Sequence, residues 1–151
     1  MTTEAPDPRE RAIQRLRVAQ SAWGEAMTAH KMAKPDLGFA PRLRSLAAAA
    51  EREREACEEA DRAGLVWRPI PGAQGAQPPY ELRPGTGRRG PTQLWERFDE
   101  AVRELNHAIT GTNARLVGRR FGELASTVAA LADAVEAEDQ RTILELRGEA
   151  V

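Results

Sequence analysis

Apolar residues recur at helical spacing along the second half of the chain: Leu94, Phe98, Val102, Leu105 and Ile109, then Val117, Phe121, Leu124, Val128, Leu131 and Val135. The two sets flank Gly111, and the spacing predicts two amphipathic helices. The first starts at Thr92, a good N-cap, and ends at Gly111; the second starts at Thr112 or Asn113 and runs to about Glu138. Their shared seam holds no nucleophile, base or metal ligand. Residues 142–146 either continue the last helix or form a short strand, so 139–151 is set apart as a tail.

The first half is less apolar. Asp7, Pro8 and Glu10 spell a helix start, with Asp7 as N-cap, Pro8 at the first helical position and Glu10 closing a capping box. That helix is expected to reach about Ala33, with Ile13, Leu16, Trp23 and Met27 on one face and Ala12, Ala19, Ala22, Ala26 and Ala33 along a flank. After a turn through Pro35 to Pro41, a second helix is expected over residues 42–63. It carries a weak stripe of Leu43, Leu46, Ala50, Cys57 and Ala60 and stops at Gly64 as a left-handed cap, with Leu65 folding back.

Residues 65–91 break this pattern with six prolines and five glycines in 27 positions, a density incompatible with helix. Residues 65–68 and 80–83 are candidates for the arms of a small β-hairpin, with residues 72–75 at its tip. Short connections make sequential helices antiparallel neighbours. The expected fold is therefore all-α: an antiparallel four-helix bundle of two helical hairpins, 8–63 and 92–138, with the proline-rich stretch inserted between them. Residues 1–6 carry no pattern and are expected to be disordered.

Composition narrows the setting. The chain has 151 residues, one domain by size, and Ala, Leu, Glu and Arg dominate it, all strong helix formers. Two lysines among 22 basic residues, with abundant alanine, suggest a bacterial source. One cysteine excludes an internal disulfide, and no basic start precedes an apolar run, so a cytoplasmic protein without a membrane span is expected. A net charge of -1 gives no global pull toward nucleic acid. Locally, residues 65–91 carry +3 (4 basic against 1 acidic) and residues 92–151 carry -4 (7 against 11).

Candidate chemistry is thin. Glu104 and His107 have the E-x-x-H spacing of di-iron bundles, but His107 falls opposite the seam and no second such pair exists, so a solvated face is expected. The acids of residues 51–59 alternate with Arg52 and Arg54 around the helix instead of converging as the magnesium-holding acids of all-α nucleotide pyrophosphatases must, which again reads as salt-bridged surface. Cys57 lies among carboxylates that disfavour a thiolate, and is expected to be structural. No catalytic residue, metal site or cofactor is expected.

Four polar or aromatic residues on the first hairpin could meet a ligand. Glu53 sits on the stripe of its helix, across from Gln20 and Trp23, while His30 intrudes on the same face of the first helix. Together Gln20, Trp23, His30 and Glu53 are the candidates for a small binding cavity. Gly118, Gly122, Ala125 and Ala129 form a small-residue ridge suited to another helix, either the first helix or the same ridge in a second subunit. With Trp67 and Tyr80 of the proline-rich arm, they are the candidate interface. Arg83, Arg88 and Arg89 are a weak candidate for phosphate contact. The leading expectation is a non-enzymatic interaction protein, homodimeric and with another protein as partner. A small-ligand-binding or weakly catalytic bundle is the alternative, and a nucleic-acid-associated regulator the third.

Overall fold

Asp7 caps the first helix by accepting from the backbone N–H of Arg9 at 3.1 Å, and Pro8 opens it. The computed structural model describes residues 7–32, 38–71, 78–84 and 87–148, so expectations for 1–6, Ala33, Pro35, residues 72–75 and 149–151 lie outside them. Four helices follow: α1 (Pro8–Lys31), α2 (Phe39–Arg62), α3 (Thr92–Thr110) and α4 (Ala114–Leu146). No strand is present among the described residues, and the fold is all-α.

α2 packs against α1 and α4, and α4 packs against α3, so the spatial order is α1, α2, α4, α3. Arg15 of α1 bonds Glu55 and Glu59 of α2, while Arg9 lies beside Gly64 just past its end. Arg44 of α2 reaches Asp133 and Glu136 of α4, and Cys57 lies against Gly118. Arg120 of α4 pairs with Glu104 of α3 at 3.0 Å, and Gly90 just before α3 lies against Val135 and Leu131. In each contact rising residue numbers meet falling ones, so adjacent helices are antiparallel. The backbones of α1 and α3 do not approach closely: buried Trp67, Tyr80 and Leu82 of the proline-rich stretch lie on that side, and the two helices meet through His30 against Trp95 and Phe98.

Several boundaries and faces differ from the periodicity. α2 begins at Phe39, not at residue 42, because proline is tolerated in a first turn whose N–H groups have no helical acceptor. Phe39 and Ala40 thereby join the core. α1 is turned toward its alanine flank: Ala12, Ala19 and Ala26 are buried against close neighbours, and Ile13 is exposed. In α3 the inward face is Trp95, Phe98, Ala101, Leu105, Ala108 and Ile109, with Leu94 and Val102 only half-buried. α4 continues through the expected tail to Leu146.

The helix ends are closed by distinct means. Gly64 adopts φ +75° and lets the N–H of Leu65 return to the carbonyl of Ala60 at 2.9 Å, as expected of a left-handed cap. At the α3–α4 turn, however, Gly111 keeps an ordinary right-handed conformation and Thr112 takes φ +56°. Asn113 then caps α4 by accepting from the N–H of Leu116.

The would-be β arms pair with helices instead of with each other. The amide side chain of Gln20 donates to the carbonyl of Arg68 and accepts from the N–H of Ile70, both at 2.8 Å. Asn106 of α3 does the same for Tyr80, accepting from its N–H at 2.7 Å and donating to its carbonyl at 2.9 Å. A side-chain amide offers the same donor–acceptor pair as a peptide group, so each replaces one rung of a sheet.

Candidate functional site

Among the described residues four polar or charged side chains are buried: Gln20, His30, Glu53 and Asp139. Gln20 and Asp139 are explained, the first by the strap it holds and the second by an ion pair with Arg89 at 2.6 Å. Glu53 and His30 are fully enclosed, at 0% exposure, and no oxygen of Glu53 or nitrogen of His30 has a hydrogen-bond partner. A buried polar group in that condition costs about 1–3 kcal/mol.

Glu53 stands among aromatic rings. The indole N–H of Trp67 is near enough to favour its charged form, but closes no hydrogen bond of normal geometry. Tyr80 and Cys57 lie in its field. Trp23 packs edge-on against Tyr80 at 5.8 Å and against Phe121 at 5.2 Å. Burial outweighs the indole and raises the carboxyl to about 8, so Glu53 is mainly neutral at pH 7. Burial together with Glu53 and Glu58 also raises the Cys57 thiol, which keeps it protonated and inert.

His30 belongs to a second cluster. Its ring lies 6.0 Å from Phe98 and 6.4 Å from Trp95, and Trp95 in turn meets Phe39 at 6.4 Å. Burial lowers the imidazole to about 4; the Leu82 backbone opposes this and the charge of Arg88 adds to it. His30 is thus a neutral ring in an aromatic layer. The structure brings Gln20, Trp23 and Glu53 to one side of the core and places His30 with other partners, and no hydrogen bond joins His30 to Glu53.

The surface hollows lie elsewhere. The groove between α2 and α4, about 620 Å³, is lined by Arg54, Arg115, Arg119 and Gly122 with acids between them. Another of about 680 Å³ lies between α3 and α4, and a third of about 550 Å³ is bounded by Tyr80, Leu82, Arg83 and Phe98. None of these is lined by Gln20, Trp23, His30 or Glu53. All four of these residues are buried in the core.

The candidate interface is also internal. A Cβ built on Gly118 would meet the Cβ of Cys57 at 2.8 Å, and one on Gly122 would meet Cδ of Arg54 at 2.8 Å. The ridge is therefore occupied by α2, not by α1 or a second subunit; Ala125 is buried and Ala129 half-buried. Trp67 and Tyr80, expected on a gripping arm, are core residues. Among the arginines, Arg88 makes a two-pronged pair with Asp99 and lies 4.8 Å over the ring of Trp95. Arg89 pairs with Asp139 and Glu138, and Arg83 is exposed. The +3 segment is tied to the acidic helices rather than presented to a phosphate backbone.

Trp95, Asn106, Thr112 and Asp139 are structural anchors that periodicity passes over. Asn106 alone leaves a trace, being a poor helix former in mid-helix with a side chain suited to bonding backbone. Glu104 and His107 sit apart from any metal geometry, the first paired with Arg120 and the second exposed. Among the described residues no three His, Cys, Asp or Glu side chains are grouped to hold a metal ion, and no helix is long and apolar enough to cross a membrane. No protein-family model matches this chain, and no curated protein or solved structure matches it significantly.

Proposed function

We propose that this chain is a non-enzymatic helical-bundle protein that acts by contact, and that its first partner is a second copy of itself. The observation that carries the reading is the far end of α4. That helix has 33 residues against 24 in α2 and 19 in α3. With Cys57 beside Gly118 and Arg44 beside Asp133, Phe39 at the start of α2 falls level with about residue 137 of α4, so the last two turns overhang. The overhang carries half-buried Ile143, Leu144 at 40% exposure and Leu146 at 83%. Apolar residues grouped on one helix end beyond the described neighbouring helix make a candidate contact surface.

Charge favours a second copy as that partner. The overhang carries both signs, Arg141 and Arg147 beside Glu138 and Glu145, so two antiparallel copies of it meet without net like-charge repulsion. This surface replaces the glycine ridge, which α2 already covers. The binding-cavity alternative draws no support from the three hollows described above, and the nucleic-acid reading loses Arg88 and Arg89 to ion pairs.

Light scattering across a concentration series tests the proposal. A dimer that dissociates on dilution is expected, and the double variant Leu144→Glu, Leu146→Glu should remain monomeric with the melting temperature of the dissociated wild type, because neither residue belongs to the core. A wild-type chain that stays monomeric at every concentration would overturn it.

A further inference from the structure

Glu53 has a neighbour whose attachment differs from the rest of the core. Residues 65–70 cross the bundle as a strap without regular structure, and Trp67 of this strap lies buried over the carboxyl. Among the described residues four hydrogen bonds hold the strap: Leu65 N–H to the Ala60 carbonyl, Trp67 N–H to the Thr112 carbonyl, and the two made by Gln20 to Arg68 and Ile70. Two of the four depend on one side chain and a third on a backbone carbonyl in the left-handed region. A segment so attached opens at lower cost than a helix with a continuous ladder.

Beneath it lie groups that gain from opening. Both oxygens of Glu53 and the indole N–H groups of Trp23 and Trp67 are enclosed without hydrogen-bond partners. Lifting Trp67 admits water to the Glu53–Trp67 pair. The groups acting on Glu53 are few. Cys57 from its own helix and Tyr80 from residues 78–84 are titratable and both held neutral by burial. Trp67 comes from the strap, and α1 and α4 contribute to this cluster Trp23 and Phe121, neither of which titrates. No arginine or lysine among the described residues compensates a charge there.

We propose that Glu53 is a pH-operated latch: the neutral carboxyl lets the strap of residues 65–70 lie closed, and ionisation releases the strap and exposes Trp67 while the helices remain packed. This device is independent of the α4 surface proposed above. In the closed form Glu53 holds its proton up to about pH 8, and in the open, hydrated form it ionises near its ordinary value of 4.5. The open form therefore gains on the closed by a factor of about ten for each pH unit between these values, and the ratio levels off above them.

Hydrogen exchange of the Trp67 amide, which is bonded to Thr112, reads the opening directly; rates are corrected for the intrinsic effect of pH. In the wild type, protection should fall about tenfold per unit from about pH 6 to pH 8 and then level. Glu53→Gln, which cannot ionise, should give protection independent of pH. Amides in the middle of α4, such as Val128, should keep higher protection throughout. Gln20→Ala should lower Trp67 protection at every pH without altering its slope. Three results would overturn the latch: a flat wild-type profile, an unchanged slope in Glu53→Gln, or loss of Val128 protection in parallel with Trp67. Should Glu53→Gln fail to fold, carbon-detected titration of the Glu53 carboxyl in the wild type decides. A midpoint near pH 8 that coincides with the end of the Trp67 slope supports the latch, and a midpoint in the ordinary carboxylate range ends it.

Discussion

Thr112 is branched at Cβ yet holds φ +56°, a region that such residues rarely occupy because Cβ crowds the backbone. Its carbonyl receives the N–H of Trp67, so the strained turn also carries an anchor of the strap. Thr112→Gly relieves the crowding and keeps the carbonyl, while making the unfolded chain somewhat freer. The net expectation is a gain of about 1 kcal/mol, seen as a melting temperature higher by about 2–4 °C in a chain of this size. A lower melting temperature would show that the turn is not strained. At this scale the sequence marks unusual residues better than their partners. Glu53, Gln20 and His30 stand out as polar groups on apolar faces, and all three are buried. What Gln20 bonds, and that His30 and Glu53 sit in separate clusters, depends on a proline-rich segment whose path has no periodicity to read.

The α2–α4 contact shows how an element uses its small residues. At Gly118 an added methyl group would strike the Cβ of Cys57 next to the backbone carbonyl of Arg54, neither of which moves without the helix. At Gly122 it would meet only the middle of the Arg54 side chain, which can swing away. Gly118→Ala is therefore expected to destabilise by about 1–3 kcal/mol, overpacking exceeding the better helix propensity of alanine. Gly122→Ala should be neutral or stabilising by up to about 1 kcal/mol. Urea unfolding of the two variants checks both, and equal effects would contradict the packing described here. The existence of such a ridge was legible from glycines inside a helical pattern. Its occupant was not, because the chain offers two alanine-bearing helices and only their arrangement selects α2. The faces of α1 and α3 shifted for the same reason: a helix in contact on two sides buries the arc between its neighbours, not the arc of highest apolarity. Thus Trp95 went in, and Ile13 came out.

For the molecule as a whole, Glu53 and His30, two of the enclosed titratable groups, act on stability with opposite sign. Glu53 is raised to about 8 from 4.5, so the unfolded chain loses its proton first and stability falls as pH rises from 4.5 to 8. His30 is lowered to about 4 from 6.5, so the unfolded chain takes up a proton first and stability falls as pH drops from 6.5 to 4. Between 4.5 and 6.5 the slopes cancel. Urea midpoints should accordingly be level across that window and decline on the alkaline side by about 1.4 kcal/mol per pH unit until about pH 8. Replacing His30 by leucine should uncover the Glu53 slope down to pH 4.5, and a profile unchanged by that substitution would remove His30 from the account. The sequence by itself determined the four helices, the caps at Asp7 and Gly64, and the absence of helix from the described part of residues 65–91. All of these follow from local spacing, backbone freedom and hydrogen-bonding groups within a few residues. Only the tertiary structure decided which arc of each helix is covered, that α2 fills the glycine ridge, that side-chain amides stand in for a β-hairpin, and that Glu53 is sealed beneath Trp67. These depend on the direction of neighbours far away in the chain, and a pattern repeating every 3.6 residues carries no record of that direction.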